Sequence, residues 1–360
     1  MSANANPYVR LARRLDALPN GFPPTEDGAE LHLLAKLFTA EEAALAAELR
    51  LTKETYQEIA ARIGADPGIV RRHLKAMVRQ GLIAWDRGEG GIVYGLMPFI
   101  VGIYEMQVGR LDRELAELAE AYFRQTFSKA LSVKPQFHRV IPIAESIGGE
   151  LEIRPFESAA AIVDNARAWG VTDCICRKQK ALIGEGCHHP IDICMVFSNQ
   201  PGSFDGNPAI RALSQQEALA TLRRAADAGL VHSVSNNQRG LWYICNCCTC
   251  SCGILRGMAE QGIADVVARS AYVNQVDESL CLACGDCLAY CQFDALSLNE
   301  FAEVSYQRCV GCGVCVLKCP EGALSLALRP REETPLPPVD ERDWMARRAT
   351  ARGMDLDRVL

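Results

Sequence analysis

Eight cysteines form a pattern that occurs twice, with the second copy 28 residues after the first. The two copies are Cys281-x2-Cys284-x2-Cys287-x3-Cys291 and Cys309-x2-Cys312-x2-Cys315-x3-Cys319-Pro320. Thiolates in such close groups bind zinc ions or iron–sulfur clusters. A zinc site built from two CxxC pairs leaves the even use of four cysteines in each copy unexplained. The pattern therefore favours two [4Fe–4S] clusters.

Over roughly residues 272–328 the repeat resembles the bacterial 2[4Fe–4S] ferredoxin domain. In that family three close cysteines hold one cluster and the fourth ligates the other cluster. The resemblance implies low-potential electron transfer and two crossed ligand sets. These sets are Cys281, Cys284, Cys287 and Cys319 for cluster 1, and Cys309, Cys312, Cys315 and Cys291 for cluster 2. Gln292 occupies the position where the family usually has proline, which loosens the turn at Cys291.

The two copies also share the elements that must position the thiols. Residues 295–298 and 323–326 have the same sequence, Ala-Leu-Ser-Leu, and predict short strands that close over each cluster. Gly285, Gly311 and Gly313 allow the backbone to bend tightly and to direct N–H groups at the sulfur atoms.

Nine more cysteines lie upstream, five of them within eight residues: Cys174, Cys176, Cys187, Cys194, Cys245, Cys247, Cys248, Cys250 and Cys252. Structural cysteines would be scattered among apolar residues, so this crowding indicates metal or cluster binding. An extended chain at 241–252 would point Cys245 and Cys247 to one side and the last three to the other. Neighbours on one side would be roughly 6.6 Å apart, at about 3.3 Å per residue, which suits two corners of one cluster.

We therefore expect two further four-cysteine sites with one thiol spare, and four [4Fe–4S] clusters in all. The pairing between the upstream groups stays open. Zinc at one middle site is the alternative, and His188 or His189 would then be a ligand. Four basic residues lie near these sites: Arg177, Lys178, Arg308 and Lys318. We expect them either to tune the cluster potentials or guide the docking of a partner, or simply to be solvated.

The upstream cysteines also carry a second resemblance. A CxCR element at Cys174 to Arg177, a stretch from Cys187 to Cys194 and the CNCCxCxC string at 245–252 are similar to a group of ferredoxin-fusion proteins of anaerobic metabolism. The resemblance covers roughly residues 90–328 and implies fold and cofactor type more than an activity.

The composition limits the remaining classes of protein. A chain of 360 residues predicts two or three domains, 49% hydrophobic residues suffice for their cores, and a net charge of −6 gives no general signature of polyanion binding. The first residues contain no apolar signal core, and cluster thiolates need a reducing compartment, so we expect a cytoplasmic protein. Pro98 and Glu105 interrupt the apolar stretch at 91–109, which therefore makes a weak candidate for a membrane span.

Residues 30–97 predict a winged-helix domain, with helices followed by a hairpin. Asp66 is an N-cap before Pro67, and Gly81 ends the helix that follows. That helix carries four basic residues that suit DNA phosphates or a protein-docking surface: Arg71, Arg72, Lys75 and Arg79. Seven basic and five acidic residues over 52–90 give only +2, so DNA is the less favoured partner.

The rest of the chain divides into three parts. Residues 98–270 predict a helical connector, which suits packing or a homodimer, and a cysteine-rich metal-binding domain. In that domain a capping box at Ser214 and Glu217 begins a second winged-helix-like unit. Residues 271–328 are the dicluster ferredoxin domain, and 329–360 form a charged, Pro-rich tail that wraps a surface or is mobile. The predicted fold class is a multidomain α+β protein.

The sequence contains no nucleotide-binding fingerprint and no evident catalytic group. We therefore expect an iron–sulfur electron-transfer protein or subunit that passes low-potential electrons to or from a partner oxidoreductase, rather than a stand-alone enzyme. The alternative is an iron–sulfur, redox-sensing, DNA-binding regulator. A metalloenzyme with an open cluster site is the second alternative.

Overall fold

A computed structural model describes residues 6–147 and 155–360. The chain forms two compact units: residues 1–134 together with 345–360, and residues 135–344. The second unit contains the whole predicted ferredoxin segment and most of the predicted cysteine-rich domain. The start of the chain, where the sequence shows no signal core, falls partly outside the described residues. Within the described residues, no helix is long and apolar enough to cross a membrane.

The first unit is mainly helical. Its elements are α1 (Pro7–Asp16), α2 (Ala29–Leu37), α3 (Ala40–Ala46), β1 (Glu54–Thr55), α4 (Tyr56–Ile63), α5 (Pro67–Arg79), β2 (Ala84–Gly88), β3 (Gly91–Gly95), α6 (Arg113–Tyr122) and α7 (Ser128–Leu131). The three strands pair antiparallel in the order β1-β3-β2. Two helices followed by a hairpin are therefore present where the sequence predicts them.

Local side chains set the start of α4 and α5. Thr55 and Glu58 form a reciprocal capping box, and the Asp66 carboxylate accepts a hydrogen bond from the Ile69 backbone N–H at 2.9 Å. Val70 and Leu74 are buried on the inner face of α5. The four basic residues of α5 are exposed on its other side: Arg71, Arg72, Lys75 and Arg79.

The end of the chain is packed rather than free. Helix α14 (Glu341–Ala351) follows the Pro-rich stretch, and its Arg348 is completely buried in the first unit. The Arg348 guanidinium donates hydrogen bonds to the carbonyl oxygens of Pro19 at 2.8 Å, Val133 at 2.6 Å and Ala130. Helix α14 therefore packs on the first unit through Arg348.

The second unit is built on a six-stranded antiparallel sheet in the order β4-β8-β9-β6-β5-β7. Its elements are β4 (His138–Val140), α8 (Ala159–Asp164), β5 (Ala168–Asp173), α9 (Ile175–Leu182), β6 (Asp192–Ser198), β7 (Arg211–Leu213), α10 (Gln215–Asp227), β8 (Val231–Ser235), β9 (Tyr243–Cys247) and α11 (Gly253–Ala259). The Ser214 and Glu217 capping box begins α10 as the sequence predicts. The hairpin that follows lies inside the sheet, because β6 pairs with the free side of β9, so it is not an isolated wing.

The ferredoxin segment completes the second unit. Its elements are β10 (Tyr272–Val276), α12 (Asp286–Tyr290), β11 (Leu296–Leu298), β12 (Ala302–Val304), α13 (Val314–Leu317) and β13 (Leu324–Leu328). β10 pairs with β13 and β11 with β12, both antiparallel. The segment thus has one strand pair that joins its two ends, one hairpin between the cysteine runs, and one short helix in each run.

Candidate metal centres

The ferredoxin segment encloses two cavities, and each is lined by four cysteines. The first cavity is lined by Cys281, Cys284, Cys287 and Cys319, and the second by Cys291, Cys309, Cys312 and Cys315. Each run therefore contributes three thiols to one cavity and one thiol to the other. The free space within and at the mouth of each cavity is about 350 and 360 Å³, so the two sites are closely matched in size. This donor set fits two [4Fe–4S] clusters with crossed ligands.

Glycine is required where the second run crosses the neighbouring backbone. Gly311 and Gly313 have φ angles of +70° and +79°, which L side chains rarely adopt. A Cβ atom on Gly311 would lie 2.1 Å from the Tyr272 carbonyl oxygen, and one on Gly313 would lie 1.9 Å from the Ser146 hydroxyl. The second run can therefore pack against Tyr272 of β10 and against Ser146 only with glycine at both positions.

Polar hydrogens point at the cluster thiols. Backbone N–H groups donate to sulfur from Ala302 to Cys281 at 3.4 Å and from Ala323 to Cys319 at 3.3 Å. The Asn274 side-chain amide donates to the Cys315 sulfur at 3.2 Å. Such hydrogen bonds stabilise thiolate charge and raise the reduction potential of a bound cluster relative to a site without them.

The two cavities differ in how far their lining residues are exposed to solvent. Leu282 is 69% exposed and Cys284 is also exposed, so the first cavity has an open rim. In the second cavity Cys309 and Cys315 are buried, and burial raises the pKa of the Cys312 thiol to about 12. Thiols that resist ionisation in this way need a bound cation to hold them as thiolates.

Six of the nine upstream thiols lie close enough to one another to shift each other's pKa, and together they make a closed ring. The ring runs in the order Cys174, Cys176, Cys252, Cys247, Cys245 and Cys194, and Cys194 returns to Cys174. Strand register accounts for one link, because Met195 pairs with Ile244 and thus places the preceding Cys194 beside Cys245. Ser233 on β8 adds a hydroxyl 3.5 Å from the Cys247 sulfur.

Repulsion between neighbouring thiolates limits how many of the six thiols can ionise without a bound metal. Hydrogen bonds with Cys176 and Cys194 keep the pKa of Cys174 well below its usual value, whereas hydrogen bonds with Cys174 and Cys252 raise the pKa of Cys176. Like charges at contact distance cannot all ionise together in a buried site. A metal centre within the ring would remove that obstacle, since a coordinated thiol is deprotonated by the cation.

The buried guanidinium of Arg177 lies beside the ring. It donates hydrogen bonds to the carbonyl oxygens of Pro190, at 2.8 Å, and Asn246. Burial opposes its charge, but the nearby thiols of Cys174 and Cys248 raise its pKa above the usual value. Arg177 therefore supplies positive charge to two groups of cysteines at once. Of the other basic residues named from sequence, Lys178 pairs with Asp173 at 3.1 Å and Arg308 pairs with Asp294 at 3.0 Å.

The remaining upstream thiols form a second set with one histidine. Ligand atoms of Cys187, His189, Cys248 and Cys250 all lie within 4.8 Å of one another. The Cys187 and Cys248 sulfur atoms are 4.0 Å apart. His188 stacks on His189, with ring centroids 4.6 Å apart. The structure thus places His189 among the thiols.

This arrangement differs from the expected division into two four-cysteine sites with one spare thiol. Alternation along a strand correctly places Cys245 and Cys247 together, but β9 ends at Cys247. The chain then turns, with the Cys252 N–H donating to the Cys248 carbonyl at 3.0 Å, and Cys252 is the N-cap of α11. Cys252 therefore joins the ring instead of Cys248 and Cys250, because side chains alternate only while the chain stays extended.

Gln292 connects the ferredoxin segment to the middle of the second unit, a role that the sequence does not reveal. Its side-chain oxygen accepts a hydrogen bond from the Thr249 N–H at 2.7 Å, and its amide donates to the Gly229 carbonyl. Lys318 also reaches the middle of the unit and donates to the Asp227 carbonyl at 2.8 Å. The missing proline after Cys291 was the only sequence signal for this connection.

A comparison with known families now adds a direct result. The 4Fe-4S binding domain family matches residues 302–325. This chain carries a 4Fe–4S binding domain there. The match includes the whole second cysteine run and both glycines that pack closely beside it. No curated protein and no solved structure is significantly similar to the chain.

Proposed function

We propose that the protein is an iron–sulfur electron-transfer protein or subunit that exchanges low-potential electrons with a partner oxidoreductase. The observation that carries the proposal is the pair of matched cavities, each with three thiols from one run and one from the other. A [4Fe–4S] cluster bound in each would supply one-electron chemistry. Cys281, Cys284, Cys287 and Cys319 would hold one cluster, and Cys291, Cys309, Cys312 and Cys315 the other.

The surrounding residues have separate tasks in this proposal. Asn274 and the backbone N–H groups hold the thiolates in place and balance their charge. Buried Leu324 and Leu326 keep water away from the sulfur atoms. The exposed Leu282 beside Cys284 forms an apolar rim that a partner protein would cover, which favours the first cavity as the side of electron exchange.

The ring of six thiols extends the proposal to the middle of the unit. The ring has six thiols, more than the four that one tetrahedral ion binds, so with Arg177 beside it the ring suits a third iron–sulfur centre. The set that includes His189 is then a fourth cluster or a zinc site. We place the protein in the cytoplasm, where thiols stay reduced.

Anaerobically purified protein provides the test. Iron and sulfide are measured first, and low-temperature magnetic resonance is then recorded before and after reduction with dithionite. We expect signals from at least two clusters that appear on reduction and disappear on reoxidation by a low-potential viologen dye. Protein that holds clusters but cannot be cycled between the two states would contradict the proposal.

The exposed basic face of α5 supports one alternative, a redox-sensing regulator that binds DNA. Arg71, Arg72, Lys75 and Arg79 share this face, although Arg71 also lies over the Tyr56 ring, 5.3 Å from its centroid. A DNA footprint that depends on the redox state would favour this alternative over electron transfer.

A further inference from the structure

We infer that Cys187, His189, Cys248 and Cys250 form a site for a single zinc ion, separate from the iron–sulfur centres. The ion would have a structural task, because zinc has no redox chemistry. The inference therefore stands apart from the proposed electron transfer, and either can fail without the other.

Spacing distinguishes one ion from a cluster. Tetrahedral zinc with Zn–S bonds of about 2.3 Å places its sulfur ligands about 3.8 Å apart. The Cys187 and Cys248 sulfur atoms are 4.0 Å apart, and all four ligand atoms lie within 4.8 Å of one another. The ligands of a four-iron cluster lie farther apart, because each binds a different iron. Accordingly, each ferredoxin set surrounds an open cavity instead.

The histidine supplies an independent observation. The Nδ1 atom of His189 is buried and has no hydrogen-bond partner among the described residues. A buried, unsatisfied imidazole nitrogen is costly, and metal coordination is a usual remedy. Three cysteines and one histidine are also a common ligand set of structural zinc sites.

The chain positions of the ligands show what the ion would do. Cys187 and His189 lie in the loop between α9 and β6, whereas Cys248 and Cys250 lie in the turn between β9 and α11. The ion would join two irregular segments 61 residues apart. It would also fix the turn that separates Cys247 from Cys252, both members of the ring of six thiols. Zinc would thus set the shape of the neighbouring centre without carrying electrons.

The neighbouring histidine provides a matched control. Untagged protein is purified with zinc and iron present, and both metals are counted for wild type, His189→Ala, His188→Ala and His189→Cys. We expect about one zinc per chain in wild type and His188→Ala, since one tetrahedral ion uses all four ligands. In His189→Ala we expect at least tenfold weaker retention against a chelator, and His189→Cys should restore binding.

Cobalt(II) exchange gives a second readout, because a tetrahedral site with several thiolates has a characteristic visible spectrum. That spectrum should change in His189→Ala and His189→Cys but not in His188→Ala. The ferredoxin resonance signals should persist in all three variants. Wild-type protein without zinc, or equal zinc retention in the two alanine variants, would overturn the inference. Wild-type protein that holds zinc but shows no ferredoxin resonance signals would instead count against the electron-transfer proposal.

Discussion

The Gln292 side chain lies directly against the Thr249 backbone, with its oxygen 2.7 Å from the amide nitrogen. Gln292 follows Cys291 of the second cavity, and Thr249 lies between Cys248 and Cys250. One side chain therefore connects the ferredoxin segment to the turn that carries the histidine-containing set. The residue that departs from the ferredoxin pattern is the one that makes this connection.

Replacing Gln292 with alanine should loosen the turn at Thr249. A hydrogen bond contributes about 1 kcal/mol, so we expect the Thr249 amide to exchange with solvent about fivefold faster. Exposed Gln275 in β10 is the matched control, and Gln275→Ala should leave the exchange unchanged. Hydrogen exchange measured by mass spectrometry checks this. Equal protection of Thr249 in both variants would show that the bond does not hold the turn.

Removal of the exposed thiol Cys284 should affect one cluster only. We expect Cys284→Ala to lose about four irons, the content of one [4Fe–4S] centre, while the second and upstream centres remain. Cys312→Ala should be more disruptive, because two other thiols of its cavity, Cys309 and Cys315, are buried and would be left without the cluster. Iron analysis and thermal unfolding of both variants test this order. Loss of all iron in Cys284→Ala would show that the centres assemble together.

Substitution of Arg177 by methionine should damage the middle of the second unit. The change leaves the buried Pro190 and Asn246 carbonyls without donors and removes a cation from beside the thiols, which should cost about 3 kcal/mol. Lys178→Met is the control, because its ion pair with Asp173 is partly exposed. We expect the upstream iron to fall in Arg177→Met while the ferredoxin signals remain. Similar metal content in the two variants would contradict this role.

The basic face of α5 should not read DNA sequence. We expect no specific shift of DNA fragments at physiological salt with oxidised or reduced protein, since the charge excess around α5 is small. Arg72→Ala should keep every metal centre and slow electron delivery to a native partner if this face docks protein. A redox-dependent footprint that disappears in Arg72→Ala would favour the regulator instead.

His138 should make the protein less stable in mild acid. Burial lowers the pKa of His138 to about 4, below the unfolded value of 6.5. Between these values the unfolded chain binds the proton and the folded chain does not, so stability falls as pH decreases. From pH 7 to pH 5 we expect a loss of about 2 kcal/mol from this residue. Comparison with His138→Phe in denaturant unfolding isolates the effect, and parallel pH profiles would exclude it.

Iron–sulfur binding could be predicted from the sequence because the ferredoxin cysteines act through local spacing. Each run places three thiols within seven residues, and the family match over 302–325 confirms 4Fe–4S binding there. N-cap residues such as Asp66 and Ser214 also act within one helical turn, so the starts of α5 and α10 could be predicted from the sequence. The winged-helix interpretation of residues 30–97 stays a prediction.

The division of the upstream cysteines into sites stays a prediction, because their geometry is not local. Cys252 joins Cys247 only because the strand ends and the chain turns between them. The structure places His189, and not the adjacent His188, among the thiols, and sequence gives no means to choose between them. The six-stranded sheet was also missed, because pairing between β6 and β9 joins segments about 50 residues apart.

Helix α14 has a consequence for the order of synthesis. Arg348 donates hydrogen bonds to the Pro19, Val133 and Ala130 carbonyls of the first unit, yet it is translated after the whole second unit. At roughly 5–20 residues per second, the ribosome needs about 10 to 40 s for the intervening residues 135–344. During that time the first unit lacks its last helix. The nascent chain can therefore begin to acquire metal in the second unit before the first unit is complete.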